Sequence, residues 1–185
     1  MLTNARVVLF QPHFSGNVGS VARVMRNFGL TQLTLVAPYA PHLNDEAKRL
    51  STHGEDILHK ARVVDTLAEA LADCCLVFAT SGNVEGLYRI HNYGRPDELL
   101  PQFVSALNAG PCALVFGPEP SGLSRDEISQ CHGIIRILTA PEYPSLNLAQ
   151  AVTICLYELR RQFALSQGAA TRPTQKIATY AEQEF

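Results

Sequence analysis

No apolar run in the sequence is long enough to cross a bilayer, so a membrane span is not expected. The first residues lack the basic stretch, long apolar segment and small-residue cleavage site of a secretory signal, and we expect none. No two of the five cysteines form a C-x-x-C pair, and their odd number disfavours a disulfide framework. We therefore expect reduced thiols, no zinc site and a cytoplasmic location.

The sequence also has no excess of positive charge, because its 15 Lys and Arg residues are outnumbered by 17 Asp and Glu residues, which gives a net charge of −2. This balance disfavours a protein that holds nucleic acid mainly by bulk charge. It leaves open a local basic face, or a basic face assembled by a dimer. The chain has 185 residues, of which 46% are hydrophobic, which suffices for one globular domain with a sizeable core.

Short apolar runs alternate with helical patterns along the chain. Runs typical of buried strands occupy residues 6–10, 33–36, 76–79, 112–116 and 134–138. Helical periodicity or capping signals indicate helices at residues 17–28, 45–50, 66–71, 96–107, 124–131 and 146–164. Residues 83–96 show no clear period and are expected to form a mobile loop. This alternation predicts an α/β fold, in which a parallel sheet carries helices on both faces.

The last part of the chain differs from the rest. Residues 1–164 form the predicted domain, and residues 165–175 have the polar, Gly- and Pro-containing composition of a linker. Residues 176–185 begin another helical pattern that stops without a cap. We interpret them as the start of a truncated C-terminal helical extension. The alternative is a native terminal segment that folds back on the domain.

Four predicted strands end in small or polar residues, at 15–20, 80–82, 117–119 and 141–147. Ligands of open parallel sheets bind at the carboxyl ends of the strands. Glycines in any one segment could merely make a turn, but four such ends together favour a ligand site. Gly16-x-x-Gly19 lacks the full G-x-G-x-x-G fingerprint, and no Walker A motif occurs, which disfavours hydride transfer and nucleotide hydrolysis.

Three motifs in these segments carry a resemblance to a known family. They are Asn17-x-Gly19-x-x-x-Arg23, then Phe116-Gly117-Pro118-Glu119-x-x-Gly122-Leu123-Ser124, then Tyr143-Pro144-Ser145-Leu146-Asn147-Leu148-Ala149. In order and spacing they resemble the three motifs of the SpoU/TrmH-type methyltransferases, over about residues 6–159. The surroundings of the first and third motifs are most similar to the TrmJ-like branch of tRNA methyltransferases.

The resemblance implies an S-adenosylmethionine-dependent RNA 2′-O-ribose methyltransferase of the SPOUT class, acting on tRNA at position 32 of the anticodon loop. It also implies a deep trefoil knot in the C-terminal part of the fold, a bent cofactor in the knot, and an obligate homodimer. General topology rules disfavour knots, so that expectation comes from the family alone. Two alternatives stay open: an rRNA 2′-O-methyltransferase, and a non-catalytic RNA-binding module on the same fold.

The cofactor is expected to lie among the loops that carry these motifs. Leu123, Ile137, Leu138 and Leu146 would supply apolar walls for its adenine, and loop backbone would supply polar contacts. The residues that we predict to bind the cofactor are Thr80, Ser81, Gly82, Gly117, Gly122, Leu123, Ile137, Pro144, Ser145 and Leu146.

The resemblance assigns catalysis to Arg23, Asn17, Glu119, Ser145 and Asn147. Because a guanidinium is effectively always protonated, we expect Arg23 to grip a phosphate and stabilise a developing alkoxide, and we leave the general base unassigned. Glu119 could instead anchor backbone amides, and the other three could be helix N-caps. No histidine stands at metal-ligand spacing, so we expect no metal.

The last predicted helix is apolar nearly all round between residues 148 and 159. Packing against one sheet requires only one apolar face. The second face therefore favours a subunit interface, in agreement with the homodimer that the resemblance implies. The alternative is a core helix that is packed on two sides within one chain.

Overall fold

The computed structural model describes residues 2–82 and 92–168. These residues form seven strands and seven α-helices. The strands are β1 Ala5–Phe10, β2 Gln32–Val36, β3 Arg62–Val64, β4 Leu76–Thr80, β5 Asn92–Gly94, β6 Cys112–Phe116 and β7 Gly133–Ile135. The helices are α1 Ser15–Phe28, α2 Asp45–Ser51, α3 Glu55–His59, α4 Leu67–Leu71, α5 Pro96–Ala106, α6 Arg125–Ser129 and α7 Leu148–Ser166.

The strands form one sheet in the order β3-β2-β1-β6-β4-β7-β5, and every neighbouring pair is parallel. Alternate residues of β1 enter two cores. Val7 and Leu9 pack with α1, α5 and α7, whereas Val8 packs with α4 and α6 on the opposite face. Because side chains alternate along a strand, a β1 that is buried on both faces needs a continuous apolar run. The predicted α/β class is confirmed. Strand order alone does not show whether a chain is knotted, so the trefoil knot remains what the resemblance implies.

Helix α1 positions one of the predicted motifs. Its buried Val18, Val21, Ala22 and Met25 follow the spacing of one helix face, and the helix ends at Gly29, whose φ is 78°. The helix begins at Ser15, two residues earlier than predicted, and its N-cap is Phe14. The alternative that Asn17 caps this helix is therefore wrong, since Asn17 lies inside its first turn.

Three short elements were not predicted from the sequence. Strands β3 and β5 have three residues each, and α3 has five, so none is long enough to show a period. Residues 92–94 of the predicted loop form β5, and α5 begins at Pro96; residues 83–91 lie outside the described residues. The fifth predicted strand is shorter than expected, because the chain leaves the sheet after Ile135.

The last helix, α7, begins at Leu148, two residues later than predicted, and continues to Ser166. It thus covers the first two residues of the predicted linker. Residues 169–185, which include the predicted helical extension, lie outside the described residues, and the predicted division of the chain stays a prediction. None of the helices described is long and apolar enough to span a membrane.

One charged side chain is built into the sheet. Arg6 of β1 is only 7% exposed. Its guanidinium donates to both carboxylate oxygens of Asp73, at 2.7 and 2.8 Å, and to the carbonyl of Ala70 at 2.7 Å. These bonds compensate the loss of water around the buried cation. They also lower the pKa of Asp73 to about 2.

Candidate functional site

A cleft of about 590 Å³ opens at the carboxyl edge of the sheet, between the loops that follow β4, β6 and β7 and the start of α7. All ten residues that the sequence predicts to bind the cofactor line it: Thr80, Ser81, Gly82, Gly117, Gly122, Leu123, Ile137, Pro144, Ser145 and Leu146. They come from three separate stretches of the chain. Parallel strands place their carboxyl ends at one edge, and this explains why distant loops meet here.

The loop after β6 approaches itself closely. A Cβ on Gly117 would lie 2.4 Å from the backbone nitrogen of Leu123, so only glycine fits without a shift of the backbone. The amide of Gly122 donates to the carbonyl of Pro118 at 2.8 Å, and Gly122 has a φ of 68°, in the left-handed region. The result is a compact loop whose residues line the cleft.

The loops after β4 and β7 also touch each other. A Cβ on Gly82 would come within 3.3 Å of the carbonyl oxygen of Pro144. Thr80 donates its hydroxyl hydrogen to the carbonyl of Val115 at 3.1 Å, which ties the end of β4 to β6. The amide of Ser81 donates to the carbonyl of Ile135 at 3.2 Å and ties it to β7.

The apolar wall of the cleft differs from the predicted one at a single position. Leu123, Ile137 and Leu146 line the cleft, but Leu138 is 67% exposed and does not. Ile137 and Leu138 both follow the end of β7 in chain without regular secondary structure, so the strand pattern does not determine which side each faces. Further residues line the cleft that were not predicted from the sequence, among them the apolar Phe116, Ile128, Ile135 and Leu148 and the cationic Arg125.

Beside the cleft, three predicted catalytic residues form a hydrogen-bonded relay. Asn147 donates its side-chain amide to the side-chain oxygen of Asn17 at 2.9 Å. Asn17 in turn donates its own amide to Glu119 at 2.8 Å, and the other carboxylate oxygen of Glu119 accepts from the backbone amide of His13 at 2.9 Å. The relay thus contains one residue from each of the three motifs, and Asn17 contacts both of the others.

The donor and acceptor directions in this relay are fixed by helix α7. The side-chain oxygen of Asn147 accepts from the amides of Ala149 and Gln150, as expected of an N-cap. Its amide group must therefore face Asn17, which leaves the amide of Asn17 to face Glu119. Glu119 receives two donors and has to be an acceptor on both oxygens, which a carboxylate supplies.

These contacts show which predicted catalytic residues also have the structural roles considered above, as a helix cap or as an anchor for a backbone amide. Asn147 is the N-cap of α7, whereas Ser145 is exposed, lines the cleft and lies before the cap. Glu119 does anchor a backbone amide, but that of His13 in the first loop rather than one in its own loop. Structural roles do not exclude contact with a substrate, and the catalytic assignments stay predictions.

Arg23 lies apart from this site within one chain. It is exposed on α1, and it is not among the residues that line the cleft. Asn17 and Arg23 are six residues apart on the same helix and therefore project to different sides of it. The structure thus brings together Asn17, Glu119, Ser145 and Asn147 with the cleft, but not Arg23.

Metal ligands and nucleophilic thiols do not contribute to the site as described. Within residues 2–82 and 92–168, no group of three His, Cys, Asp or Glu side chains could hold a metal ion. Cys131 and Cys155 are buried, and burial raises the pKa of each thiol to about 12. Such thiols stay protonated at neutral pH and are poor nucleophiles.

A family model described as the SpoU rRNA Methylase family matches residues 4–157 of the sequence. The chain belongs to this family. The match contains the whole of the cleft-forming region and all three motifs, and it confirms the predicted resemblance and the predicted methyltransferase class. In this SpoU methylase the relay is built from the family motifs themselves.

Individual relatives agree with the family assignment. The tRNA (cytidine/uridine-2′-O-)-methyltransferase TrmJ of Cronobacter sakazakii is 42% identical over 172 residues, covering 92% of this chain and 69% of that protein. A solved structure of a "probable methylase family protein from Haemophilus influenzae Rd KW20" has a TM-score of 0.85 and 39% identity, over 98% of this chain and 74% of that one. The predicted TrmJ-like branch is thereby confirmed.

A more distant structure concerns RNA directly. It is described as "Structural insights into the 2-OH methylation of C/U34 on tRNA" and is similar to this chain with a TM-score of 0.66 and 26% identity. The similarity covers 86% of this chain and 91% of that one.

Proposed function

We propose that the protein transfers a methyl group from S-adenosylmethionine to the ribose 2′-hydroxyl of a cytidine or uridine in the anticodon loop of tRNA. The observation that carries the proposal is the meeting of all three family motifs at one cleft and its relay. The names of the TrmJ relatives support tRNA as the substrate. With such a substrate, the protein would act in the cytoplasm.

The cleft fits the proposed cofactor in size and lining. A volume of about 590 Å³ lies in the range of sites for ligands of this class. Leu123, Ile137 and Leu146 offer apolar surface for an adenine ring, and the backbone of the tight turn at Gly117, which lines the cleft, would supply polar contacts. When bound, S-adenosylmethionine would supply a methyl group activated by its sulfonium. The protein would hold that group facing the relay beside the cleft.

The relay would position the RNA and keep the loops in place. Because Asn17, Glu119 and Asn147 satisfy one another, they form a rigid polar edge next to the cleft. Ser145 lies exposed in the same lining and is placed to contact the ribose or the cofactor. The proton of the 2′-hydroxyl would pass to a substrate phosphate oxygen or to water, and no side chain is assigned as the base.

Arg23 is proposed to act from a second copy of the chain. The side of α7 that points away from the core exposes Ile154 and Tyr157, which are 39% and 60% exposed. The ring of Tyr157 packs edge-on to Phe28 of α1, with centroids 6.3 Å apart, so the apolar surface continues onto α1. We propose that this surface forms a homodimer, in which Arg23 of the partner subunit approaches the cleft.

The guanidinium of Arg23 suits two tasks. It is permanently charged, and it can bind a phosphate through two parallel hydrogen bonds. Placed near the reacting ribose, it would also stabilise the negative charge that develops on the 2′-oxygen. Both tasks concern RNA and the transition state rather than the cofactor.

Mapping the methylated nucleotide tests the proposal. The protein is incubated with labelled S-adenosylmethionine and total RNA, and the labelled RNA is digested and analysed by mass spectrometry. We expect one labelled 2′-O-methyl nucleotide in tRNA, at position 32 as the resemblance of the motifs implies. The more distant structure makes position 34 the second candidate. Label in rRNA alone would establish the rRNA alternative, and cofactor binding with no label in any RNA would favour the non-catalytic one.

A further inference from the structure

Three aromatic rings stand exposed next to the relay, in the loops that follow β1 and β2. Phe14 and Tyr39 are 58% and 66% exposed, and His13 is exposed between them. The centroid of the His13 ring lies 4.6 Å from that of Tyr39 and 6.5 Å from that of Phe14. Adjacent exposed rings present an apolar surface to water, which is typical of binding sites.

The backbone under these rings is held firmly. The amide of His13 donates to Glu119 at 2.9 Å, and the amides of Tyr39 and Ala40 both donate to the carbonyl of Pro12, at 3.1 and 3.0 Å. The first of these bonds attaches the rings directly to the relay. They therefore stand at a fixed place beside the proposed reaction site, and their side chains project outward.

The rings do not serve the cofactor cleft, because none of the three belongs to its lining. They also lie where charge offers little attraction for a polyanion, since the chain has a net charge of −2 and Glu119 is part of this edge. Contacts other than ion pairs would therefore add to the affinity for RNA at this place, beside the phosphate contact proposed for Arg23. Stacking between aromatic side chains and unpaired bases provides such contacts.

We propose that His13, Phe14 and Tyr39 form an aromatic platform that stacks on a nucleobase next to the methylated nucleotide in a single-stranded RNA loop. The inference rests on the proposed function and adds to it the element that recognises the RNA. Its occupant is an unpaired base rather than a paired one, because the bases of a duplex are already stacked on each other.

The test compares two double variants that differ in whether the rings are kept. Phe14→Leu with Tyr39→Leu removes two rings but keeps apolar side chains, and Phe14→Tyr with Tyr39→Phe keeps both rings. Each protein methylates a tRNA transcript, and KM and kcat are measured separately. A second readout uses an anticodon stem-loop with 2-aminopurine beside the methylated nucleotide, whose fluorescence is quenched when the base stacks. Affinity for S-adenosylmethionine is measured in parallel as a check on folding.

We expect the leucine variant to raise KM for tRNA about tenfold, consistent with the loss of a stacked base, and to lose most of the quenching. The ring-keeping variant should match the wild type in both readouts, and all three proteins should bind S-adenosylmethionine equally. If the double leucine variant loses cofactor binding, Tyr39→Leu alone carries the comparison, because that side chain is two-thirds exposed.

Two outcomes would overturn the platform, and they differ in what they say about the proposed function. A leucine variant with wild-type KM and wild-type quenching would overturn the platform alone and leave tRNA methylation standing. A wild-type protein that binds S-adenosylmethionine but methylates no RNA would overturn the proposed function, and the platform with it.

Discussion

The side-chain amide of Asn147 lies 2.9 Å from the side-chain oxygen of Asn17, although 130 residues separate the two in sequence. This bond joins the start of the last helix to the first turn of the first helix. Through the second bond of Asn17, to Glu119, it also reaches the loop after β6. The geometry of the candidate site therefore depends on a few polar contacts between elements that are far apart in the chain.

The direction of the relay leads to the first prediction, which concerns Asn17 and Glu119. Asn17→Asp would place two carboxylates side by side, and Glu119→Gln would leave a donor facing a donor, at Asn17 or at His13. Each single change should lower the free energy of unfolding by about 1–3 kcal/mol, because a polar group loses its partner.

The double variant, Asn17→Asp with Glu119→Gln, should recover much of that loss. The new carboxylate at position 17 can accept from Asn147 and from the new amide at position 119, whose oxygen can still accept from His13. Urea unfolding of the four proteins gives the coupling energy directly. Losses that simply add would show that the relay does not have the hydrogen-bond directions described here.

The second prediction concerns Arg23 and uses its neighbour Arg26 as a control. Arg23→Ala should lower kcat for RNA methylation by about 10²–10³ and leave the affinity for S-adenosylmethionine unchanged, because the proposed role of the guanidinium concerns RNA and the transition state rather than the cofactor. Arg26, on the same helix, pairs with Asp56 at 3.6 Å on the surface, so Arg26→Ala should have little effect. Equal activity of the Arg23 variant and the wild type would remove Arg23 from the mechanism.

The dimer leads to the third prediction, at Ile154. This side chain is 39% exposed in one chain, so Ile154→Glu should leave the monomer folded but place an unpaired charge inside the proposed interface. Light scattering should give a dimer for the wild type and a monomer near 20.2 kDa for the variant. As a control, Gln130→Glu introduces the same charge at an exposed position of the loop after α6. A wild-type monomer, or a variant that still dimerises, would contradict the interface.

The fourth prediction concerns the ion pair of Arg6 and Asp73 at low pH. The pKa of Asp73 is about 2 instead of its ordinary 3.8, because Arg6 donates hydrogen bonds to the carboxylate. The folded protein thus favours the ionised form. The resulting stabilisation is fully present above the ordinary pKa and is lost as the pH falls from about 3.8 towards 2.

Asp73→Asn should lower the free energy of unfolding at neutral pH by about 1–3 kcal/mol, because the buried guanidinium loses a charged partner. It should also flatten the pH dependence between about pH 4 and pH 2. Unfolding in urea at several pH values measures both effects, with the exposed Asp65→Asn as a control. An unchanged pH profile in the Asp73 variant would show that the pair contributes nothing to acid sensitivity.

Much of the fold follows from the sequence because burial leaves a local pattern. Strands β1 and β6 are buried on both faces, and their runs RVVLF and CALVF show this without knowledge of the neighbours. The three-residue strands β3 and β5 leave no such pattern, since their place is decided by the strands beside them. The direction in which Leu138 points could not be predicted either, because it depends on where the chain leaves the sheet.

In the candidate site, too, some features could be predicted from the sequence and others could not. Ten of the residues that line the cleft were predictable from the strand ends and the family motifs, since both are local features of the chain. The bonds of Asn17 to Glu119 and to Asn147, and of Arg6 to Asp73, join residues that are between 67 and 130 positions apart. No local pattern predicts such pairs, so the only structural role that the sequence offered for Asn17, beside the catalytic role implied by the resemblance, was that of a helix cap.

The central claim, methyl transfer to one ribose hydroxyl of the anticodon loop, is tested most directly with tRNA that lacks that hydroxyl. Three transcripts are compared with labelled S-adenosylmethionine: unmodified tRNA, tRNA with a 2′-deoxynucleotide at position 32, and tRNA with one at position 34. We predict strong labelling of the first and third transcripts and none of the second. Labelling of the second but not the third would move the reaction to position 34. Equal labelling of all three transcripts would contradict the account, because the methyl group would then be going to neither ribose.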